Sequence, residues 1–575
     1  MAVRNAEVAA LFSRLADLLE IDGANPFRVR AYRNAARTLE GWPRSIEEMV
    51  RAGEPLSELP GIGADLAAKI EEVVRTGRLE ALEEVRRRVP ESLEPCLRLP
   101  GLGPKRVGAL YRELGVRDLD GLRRAAEAGR IRALAGFGEK TERLILEALD
   151  ALSAAAQRVP LAQAERVAEG LRDRLLGLPS PPTVEVAGSY RRRRDTVGDL
   201  DLLATCPPER AGEVMERFVT YGEVARVAAR GTTRSTILLR SGLQVDLRVV
   251  EQESYGAALH YFTGSQAHNI AVRRLGQQRG LKINEYGVFR GDRRVGGRTE
   301  EEVYAAVGLP FIPPELREDR GEIEAAQAGR LPRLLTREDL LGDLHVHTRD
   351  TDGLASLEEM VEAAQARGYR YLAITNHSRR VAVARGYDAK RLLREGERID
   401  RLNGRLRGFR VLKSIEVDIL EDGSLDLPDE VLAQLDLTVC SVHYGSNLPR
   451  ERQTERILRA MDSPYFHILA HPTGRLLGRR PPYEVDLERL LRAARERGCF
   501  VELNAHPERL DLDDRWCRRA KELGVKVAVS TDAHSVGDLD LIRFGVDQAR
   551  RGWLEPDDVL NTRPWEAVRR LLRTP

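Results

Sequence analysis

Cysteine is scarce in this chain: the 575 residues hold five, Cys96, Cys206, Cys440, Cys499 and Cys517, and no two form a Cys-x-x-Cys pair. A thiolate zinc knuckle and a disulfide framework are thereby excluded, and free thiols in a reducing cytoplasm are expected. Lysine is nearly missing too, with eight against 84 arginines; that bias fits a GC-rich genome or a thermophile and by itself carries no function. No apolar run approaches the ~20 residues needed to span a bilayer, so no membrane partner is expected. Acidic residues interrupt the opening segment MAVRNAEVAALFSRLADLLE, which is read as an amphipathic helix and not as a secretory leader. An excess of either charge is also lacking: the net charge is +2, and residues 1–150 carry 25 basic and 25 acidic side chains. Any grip on nucleic acid must then come from local geometry, because there is no bulk basic field. What remains is a soluble globular balance, 42% hydrophobic and 32% charged. The length suffices for three or four domains of ~150 residues.

Three similar segments punctuate the first quarter: Leu59-Pro-Gly-Ile-Gly63, Leu99-Pro-Gly-Leu-Gly103 and Leu134-Ala-Gly-Phe-Gly138, each followed by a helix-like run such as ADLAAKIEEVV. Glycine–apolar–glycine lets the backbone turn tightly between two helices and brings its amides close to a ligand. With the N-terminus of the next helix, those N–H groups make an anion cradle suited to a DNA phosphate. One copy is compatible with an ordinary glycine-capped turn. Three copies point to helix-hairpin-helix elements, with Gly61, Gly63, Gly101, Gly103 and Lys105 as candidate DNA contacts.

Strand-like runs follow between residues 183 and 250: TVEVAGSY, DLDLLAT, STILLR and LQVDLRVV. A Pro-rich, charged connector, FIPPELREDRGEIEAAQAGRLPRLL, then carries the expected main boundary. Beyond residue 340, short apolar runs alternate with helical stretches, the βα rhythm of an α/β barrel.

In Gly198-Asp-Leu-Asp201 two carboxylates are one residue apart, so on a strand they project from the same face. Asp246 lies in a second alternating run, Gln244-Val-Asp-Leu-Arg248. Hard oxygen ligands of this kind suit Mg²⁺, which completes its shell with water and substrate phosphates. Two such ions lower the pKa of an attacking hydroxyl and neutralise a leaving pyrophosphate. Upstream, the Ser189 hydroxyl and its amide are placed to meet a phosphate, and Arg191 to Arg194 form a basic run suited to a triphosphate. A lone Asp-x-Asp is compatible with a solvated edge, and four arginines with a wet loop; their combination within fourteen residues is what points to a site.

The segment GSYRRRRDTVGDLDLL resembles the palm signature of the family X nucleotidyltransferases, typified by DNA polymerase beta. The resemblance continues through Tyr261-Phe-Thr-Gly-Ser265, Asn269, Arg273 and Ile283-Asn-Glu-Tyr286, and back through the hairpins, covering roughly residues 1 to 310. It implies that Asp199, Asp201 and Asp246 hold two magnesium ions, with Asp246 beside the primer 3′-hydroxyl. Ser189, Arg192 and Gly198 would then contact the nucleotide; Tyr261, Phe262 and Gly264 would line the sugar pocket, Asn269 the base edge and Arg273 the template side. Lys69 aligns with the lysine of the beta-like lyase domain, although Asp65 one turn earlier favours a phosphate or solvent contact instead. Two departures stand out: Gln244 replaces an arginine and Gln266 replaces an aspartate, neither of them a metal ligand.

Eight of the ten histidines lie in the C-terminal half, where seven segments share one design: LLGDLHVHT, YLAITNHS, FRVLKSIEVD, LTVCSVHYG, FHILAHPT, CFVELNAHP and VKVAVSTDAH. Each is an apolar run ending in His, Asp or Glu. In a βα barrel all strand C-termini open on one face, so these polar ends would converge. His345, His347, His377, His443, His471 and His534, with Asp352, Glu416 and Asp532, make nine nitrogen and oxygen donors without a thiolate. That set suits Zn²⁺, Mn²⁺ or Fe²⁺, and nine donors imply a cluster of two or three ions activating a hydroxide against a phosphodiester. His467 and His506 fall outside the pattern and are expected to be structural.

These nine positions resemble the motifs of the PHP (polymerase and histidinol phosphatase) family over roughly 340 to 575. The resemblance implies 3′–5′ exonuclease activity, with AP endonuclease or 3′-phosphatase activity open, usually supported by manganese. One motif departs from the family: Asn376 stands where an aspartate is common, which would weaken an orienting role.

The expected fold is multidomain α and α/β: helix-hairpin-helix domains at 1–85 (lyase-like) and 86–155, a nucleotidyltransferase α+β palm at 156–252, a nucleotide-selection subdomain at 253–318, a linker at 319–339, and a PHP distorted (βα)7 barrel at 340–575. The expected activity is gap filling by a monomeric polymerase on primer-template DNA with dNTP, joined to 3′-end processing. Three other readings stay open on sequence alone. They are a nuclease whose residues 160–310 merely hold DNA, a scaffold with neither activity, and an RNA nucleotidyltransferase.

Overall fold

The computed structural model describes residues 5–42, 46–99, 101–156 and 158–572. The chain divides into two compact units, residues 1–156 and 157–575.

The described part of the first unit is helical and closes its own core, from Val8, Phe12 and Leu15 to Ile145 and Leu149. Helix Ala64–Thr76 illustrates why: Leu66, Ala67, Ile70 and Val73 recur at helical spacing and are all buried, and Gly77 ends the helix in the left-handed conformation. The three glycine segments are alike bond for bond. In each, the residue between the glycines donates its amide three residues back, Ile62 to Leu59, Leu102 to Leu99 and Phe137 to Leu134, at 3.0–3.1 Å. In each, the first glycine is left-handed, with φ of 75° at Gly61, 77° at Gly101 and 82° at Gly136, and the second begins the next helix turn by accepting from the amide four residues on.

In the second unit, five strands form a sheet in the order Thr183–Val186, Asp199–Thr205, Gln244–Val250, Arg234–Leu239, Val224–Arg230. Only the central pair, Asp199–Thr205 with Gln244–Val250, is parallel. Alternation sorts their side chains. Leu200, Leu202, Ala204, Val245, Leu247 and Val249 enter a core with helices Leu161–Leu176 and Ala211–Val219. Asp199, Asp201, Asp246 and Arg248 therefore project from the opposite face. Helices Tyr255–Thr263 and Gln266–Gln278, a three-stranded antiparallel sheet from Lys282 to Gly296, and helix Glu300–Ala306 follow.

The Pro-rich connector does not separate compact units; it is docked within the second. Arg320 pairs with Asp514 at 2.9 Å, Glu315 with Arg550 at 2.7 Å, and the Leu335 amide donates to the Leu554 carbonyl at 3.0 Å.

The C-terminal half is a barrel of parallel strands: Gly342–Val346, Tyr371–Ile374, a bent strand made of Arg410–Lys413 and Glu416–Asp418, Val439–Ser441, Ile468–Leu469, Phe500–Asn504 and Val527–Ser530. A bridge between Val346 and Ala533 joins the first strand to the last. Asn561 seals the same seam, donating to the Gly342 and Val529 carbonyls at 2.7 and 2.8 Å. Counting the bent strand once gives the seven-stranded distorted barrel expected from the seven polar-ended runs.

Two candidate metal centres

The register of the central strands pairs Asp201 with Asp246 and Asp199 with Gln244, so the three carboxylates meet on one open face of the sheet. Gly188, at φ 63°, begins the turn beside them; a Cβ there would lie 2.6 Å from Asp201 Oδ2, which only glycine avoids. Burial, then the charges of Asp199 and Asp246, push the Asp201 carboxyl up to about 7. Crowded acids of this kind are relieved by a bound cation. Asp246 is held from its far side: Gln244 Nε2 donates to Oδ2 at 2.9 Å, the Thr236 hydroxyl bonds Oδ1, and Arg234 stands 3.5 Å away. Thus Gln244, the departure noted in the sequence, orients a site carboxylate.

The Ser189 hydroxyl is buried and has no hydrogen-bond partner among the described residues. The four arginines after it are not a uniform basic field. Arg191 forks onto Glu300 at 2.7 and 3.0 Å, Arg193 reaches Glu165 at 3.4 Å, and Arg194 lies 3.8 Å from Glu318. Arg192 donates to the Thr263 carbonyl at 2.5 Å and to Glu318 at 3.1 Å, and its charge helps restrain the Asp201 carboxyl. A neighbour not singled out in the sequence, Arg158, would lie 3.2 Å from a Cβ on Gly198 and donates to the Thr196 hydroxyl at 3.0 Å.

Tyr261 and Phe262 meet edge to face with ring centroids 5.2 Å apart, and Arg248 stacks on Phe262 at 4.4 Å. Gly264, at φ 68°, lies against Arg192. Asn269 donates to the Tyr261 carbonyl at 2.7 Å while its Oδ1 stays unpartnered. Arg273 is exposed one turn further along the same helix. In the first unit, Lys69 pairs with Asp65 and Lys105 is exposed beside Gly103.

The barrel centre gathers all nine expected donors. Three groups share ligand atoms within 4.8 Å of one another: His347, Asp352, His377 and His534; His345, His347 and Asp532; His377, Glu416 and His443. His471 joins through Nε2, 3.0 Å from Glu416 Oε1. Glu416 therefore lies at the hub, with His345, His347, His377, His443 and His471 all within 3.6 Å. The His347 ring is packed between those of His377 and His534, at 4.5 and 4.3 Å.

The donors of this cluster shift one another strongly. Against the cost of burial, Glu416 and Asp418 hold His443 up at about 10, whereas burial and the neighbouring His534 and His377 push His347 down to about 3. His377 Nδ1 and Glu416 Oε2 lie 2.7 Å apart, yet both are without a well-aligned hydrogen bond, as is His347 Nδ1. His347 Nδ1, His377 Nδ1 and Glu416 Oε2 are buried with unspent lone pairs, and a set of six imidazoles and three carboxylates fits a multinuclear transition-metal site.

Several supporting residues escaped the sequence reading. Glu502, fully buried, bonds His345 Nδ1 at 2.7 Å and accepts from the His471 amide at 2.7 Å. Asp418 lies 3.3 Å from His443 Nδ1, and Asp343 accepts from the Thr531 hydroxyl at 2.6 Å and the His345 amide at 3.2 Å. An acid inside an apolar strand run was the available signal. The Asn376 carbonyl accepts from the Glu416 amide at 3.1 Å, and its side chain accepts from the Thr348 amide at 2.9 Å and the Thr351 hydroxyl at 2.8 Å, ordering the loop that carries Asp352. His467 accepts from the Thr438 amide at 3.0 Å and His506 lies outside the ligand groups.

Comparison with known families matches residues 3–79 to a helix-hairpin-helix domain, 94–151 to a SAM-like helix-hairpin-helix tandem, 258–318 to the DNA polymerase beta thumb and 343–506 to the PHP domain. The chain is 40% identical over 573 residues to the DNA polymerase/3′–5′ exonuclease PolX of Bacillus subtilis, covering 99% of both. It is 31% identical over 234 residues to a probable phosphatase of Thermoanaerobacter, covering 39% of this chain and 91% of that relative. A solved Leishmania infantum polymerase beta, in a ternary P/T complex, aligns with 39% of this chain and 96% of its own at 22% identity and a TM-score of 0.28.

Proposed function

The chain belongs to the PolX family of DNA polymerase/3′–5′ exonucleases, and from that premise we propose how its two centres divide the work. It is a family X DNA-directed DNA polymerase that fills short gaps in DNA repair, with a divalent-metal-dependent 3′–5′ exonuclease in its PHP domain.

In this reading Asp199, Asp201 and Asp246 hold Mg²⁺, and the observation that carries it is the Asp201–Asp246 register on adjacent parallel strands. Bound there, the ions supply charge for the attacking 3′-hydroxyl and the leaving pyrophosphate. The protein's own part is positioning. Gln244 and Thr236 fix the Asp246 carboxylate beside the primer terminus. Ser189 offers an unspent hydroxyl to the triphosphate, and Arg192 and the Gly198 backbone would contact the nucleotide beside it. Tyr261, Phe262 and Gly264 bound the sugar, Asn269 presents Oδ1 toward the base edge, and Arg273 reaches to the template.

In the barrel, the nine donors hold two or three Mn²⁺ or Zn²⁺ ions, which supply a nucleophile for phosphodiester hydrolysis. Glu416 spans the cluster, while Glu502, Asp418 and Asp343 fix the rings and backbone of the ligands. Asp352 and His534 are partly exposed, which supports an entrance on their side. The left-handed glycines and open amides near Gly61, Gly63, Gly101 and Gly103, with Lys105, grip backbone phosphates without reading sequence. Lys69, paired with Asp65, serves there as a phosphate contact. The protein works as a cytoplasmic monomer on gapped or primer-template DNA with dNTP, and its domains follow the bounds given under the sequence.

The test uses one labelled primer strand in a 5′-phosphorylated one-nucleotide gap, with Mg²⁺ or Mn²⁺ and with or without dNTP. Asp246→Ala should abolish extension and leave shortening intact; Glu416→Ala should do the reverse. Loss of both activities in either variant contradicts the division.

A further inference from the structure

One helix of the barrel, Ile542–Arg551, faces the palm with charged residues spaced four apart: Arg543, Asp547 and Arg551. Asp547 and Arg551 reach the turn between Gly188 and Asp199, and Arg543 joins it through Glu165. Arg551 is 4% exposed. Its Nη1 donates to the Arg192 carbonyl at 2.6 Å and to Glu318 Oε1 at 3.0 Å, and its Nη2 to Asp514 Oδ2 at 2.7 Å. Glu318 Oε1 is the same oxygen that accepts from Arg192 Nε at 3.1 Å. One turn back, Asp547 lies 3.6 Å from Arg193, and a further turn back Arg543 pairs with Glu165, itself a partner of Arg193. From another barrel loop, Arg475 reaches Asp195 at 3.2 Å. Phe544, on the same helix, is buried within the apolar core of the palm.

We propose that the barrel domain sets the geometry of the polymerase's nucleotide site, and that Arg551 is a positioning residue for Arg192. This rests on the reading of Arg192 as a triphosphate contact. The physical reason lies in the shared acceptor. A guanidinium presents its donors in a rigid planar fork, so Arg551 fixes the Arg192 peptide and Glu318 in one geometry. It also shares the Glu318 Oε1 atom with Arg192, while Arg194 lies 3.8 Å from the other carboxylate oxygen. Without it, Oε1 is left to Arg192, and the Arg192 carbonyl loses the Arg551 guanidinium. Both changes draw the Arg192 guanidinium away from an incoming triphosphate. The exonuclease ligands do not touch Arg551 and are left as they are.

The experiment is steady-state gap filling with the full chain and Mg²⁺, using R551K, R192A and the double variant, with the Mn²⁺ exonuclease rate measured on the same preparations. R551K keeps the charge and removes the fork. It should raise the dNTP KM by about tenfold, change kcat by less than about threefold and leave exonuclease rate unaltered. The double variant should be no worse than R192A. An unchanged KM in R551K beside a raised KM in R192A overturns the proposal, as do additive effects in the double variant. An unchanged KM in R192A itself sinks the underlying reading of Arg192, and the proposal with it. Should R551K lose exonuclease as well, Asp547→Asn replaces it: a KM raised by roughly threefold supports the clasp, and an unchanged KM overturns it.

Discussion

At the scale of single residues, the palm centre gathers like charges, whereas the barrel centre mixes imidazoles with carboxylates that shift one another. Asp201 illustrates the consequence for stability. Its folded-state value of about 7 lies above the unfolded 3.8, so the folded chain binds that proton more tightly. The resulting stabilisation is full below pH 3.8 and is lost as pH rises through about 7. Asp201→Asn cannot ionise and escapes the loss. In chelator at pH 8, the variant should melt on the order of a few degrees above the parent chain while failing to extend a primer. Melting curves of the two proteins from pH 5 to pH 8 check this, and parallel pH dependences would refute it. The nine barrel donors could be picked out residue by residue, because donor type at a strand end is a local property. Glu502 was not, since a buried acid two residues from Asn504 on its strand declares its role only when His345 and His471 are seen beside it.

At the scale of elements, the hairpins show how a short repeat carries function without bulk charge. Gly101 sits at φ 77°, where a Cβ is strained by roughly 1–2 kcal/mol. Nothing stands within 4 Å of a Cβ at Gly61, Gly63 or Gly103, so that face is open. Gly101→Ala should therefore act through the turn and its amides, not through a clash in the core. Its dissociation constant for a gapped duplex should rise roughly three- to tenfold, with helical content by circular dichroism retained. An unaltered affinity across a salt titration would remove this hairpin from the interface. The palm strands were equally readable, since alternation separates Leu200 and Leu202 from Asp199 and Asp201. The parallel pairing of Asp199–Thr205 with Gln244–Val250 was not, because periodicity within a strand says nothing of its neighbour.

At the scale of the molecule, the chain behaves as two bodies, not as one unit per motif. Residues 157–575 share a core: Leu510 and Phe544, both from the barrel half, are buried with palm residues such as Leu200 and Val245. A chain ending after residue 318 would expose that apolar surface and leave Glu318 and Glu165 without their arginine partners from the barrel. It should melt lower or aggregate, whereas residues 1–156 should fold alone on the core from Val8 to Leu149. Light scattering and thermal melting of the two fragments decide between these outcomes.

The amino-acid sequence by itself determined the family, the hairpin turns and the kinds of donor offered by the palm strands and the barrel strand ends. Each of these is written in residue type and short-range spacing, which backbone geometry converts directly into position. Tertiary structure alone decided the partners: which carboxylate each arginine of the 191–194 run would meet, that the Pro-rich connector is docked, and that Arg551 bonds a peptide 359 residues away. Charge has no address in sequence, and only packing brings one guanidinium, two carboxylates and a carbonyl to a single point.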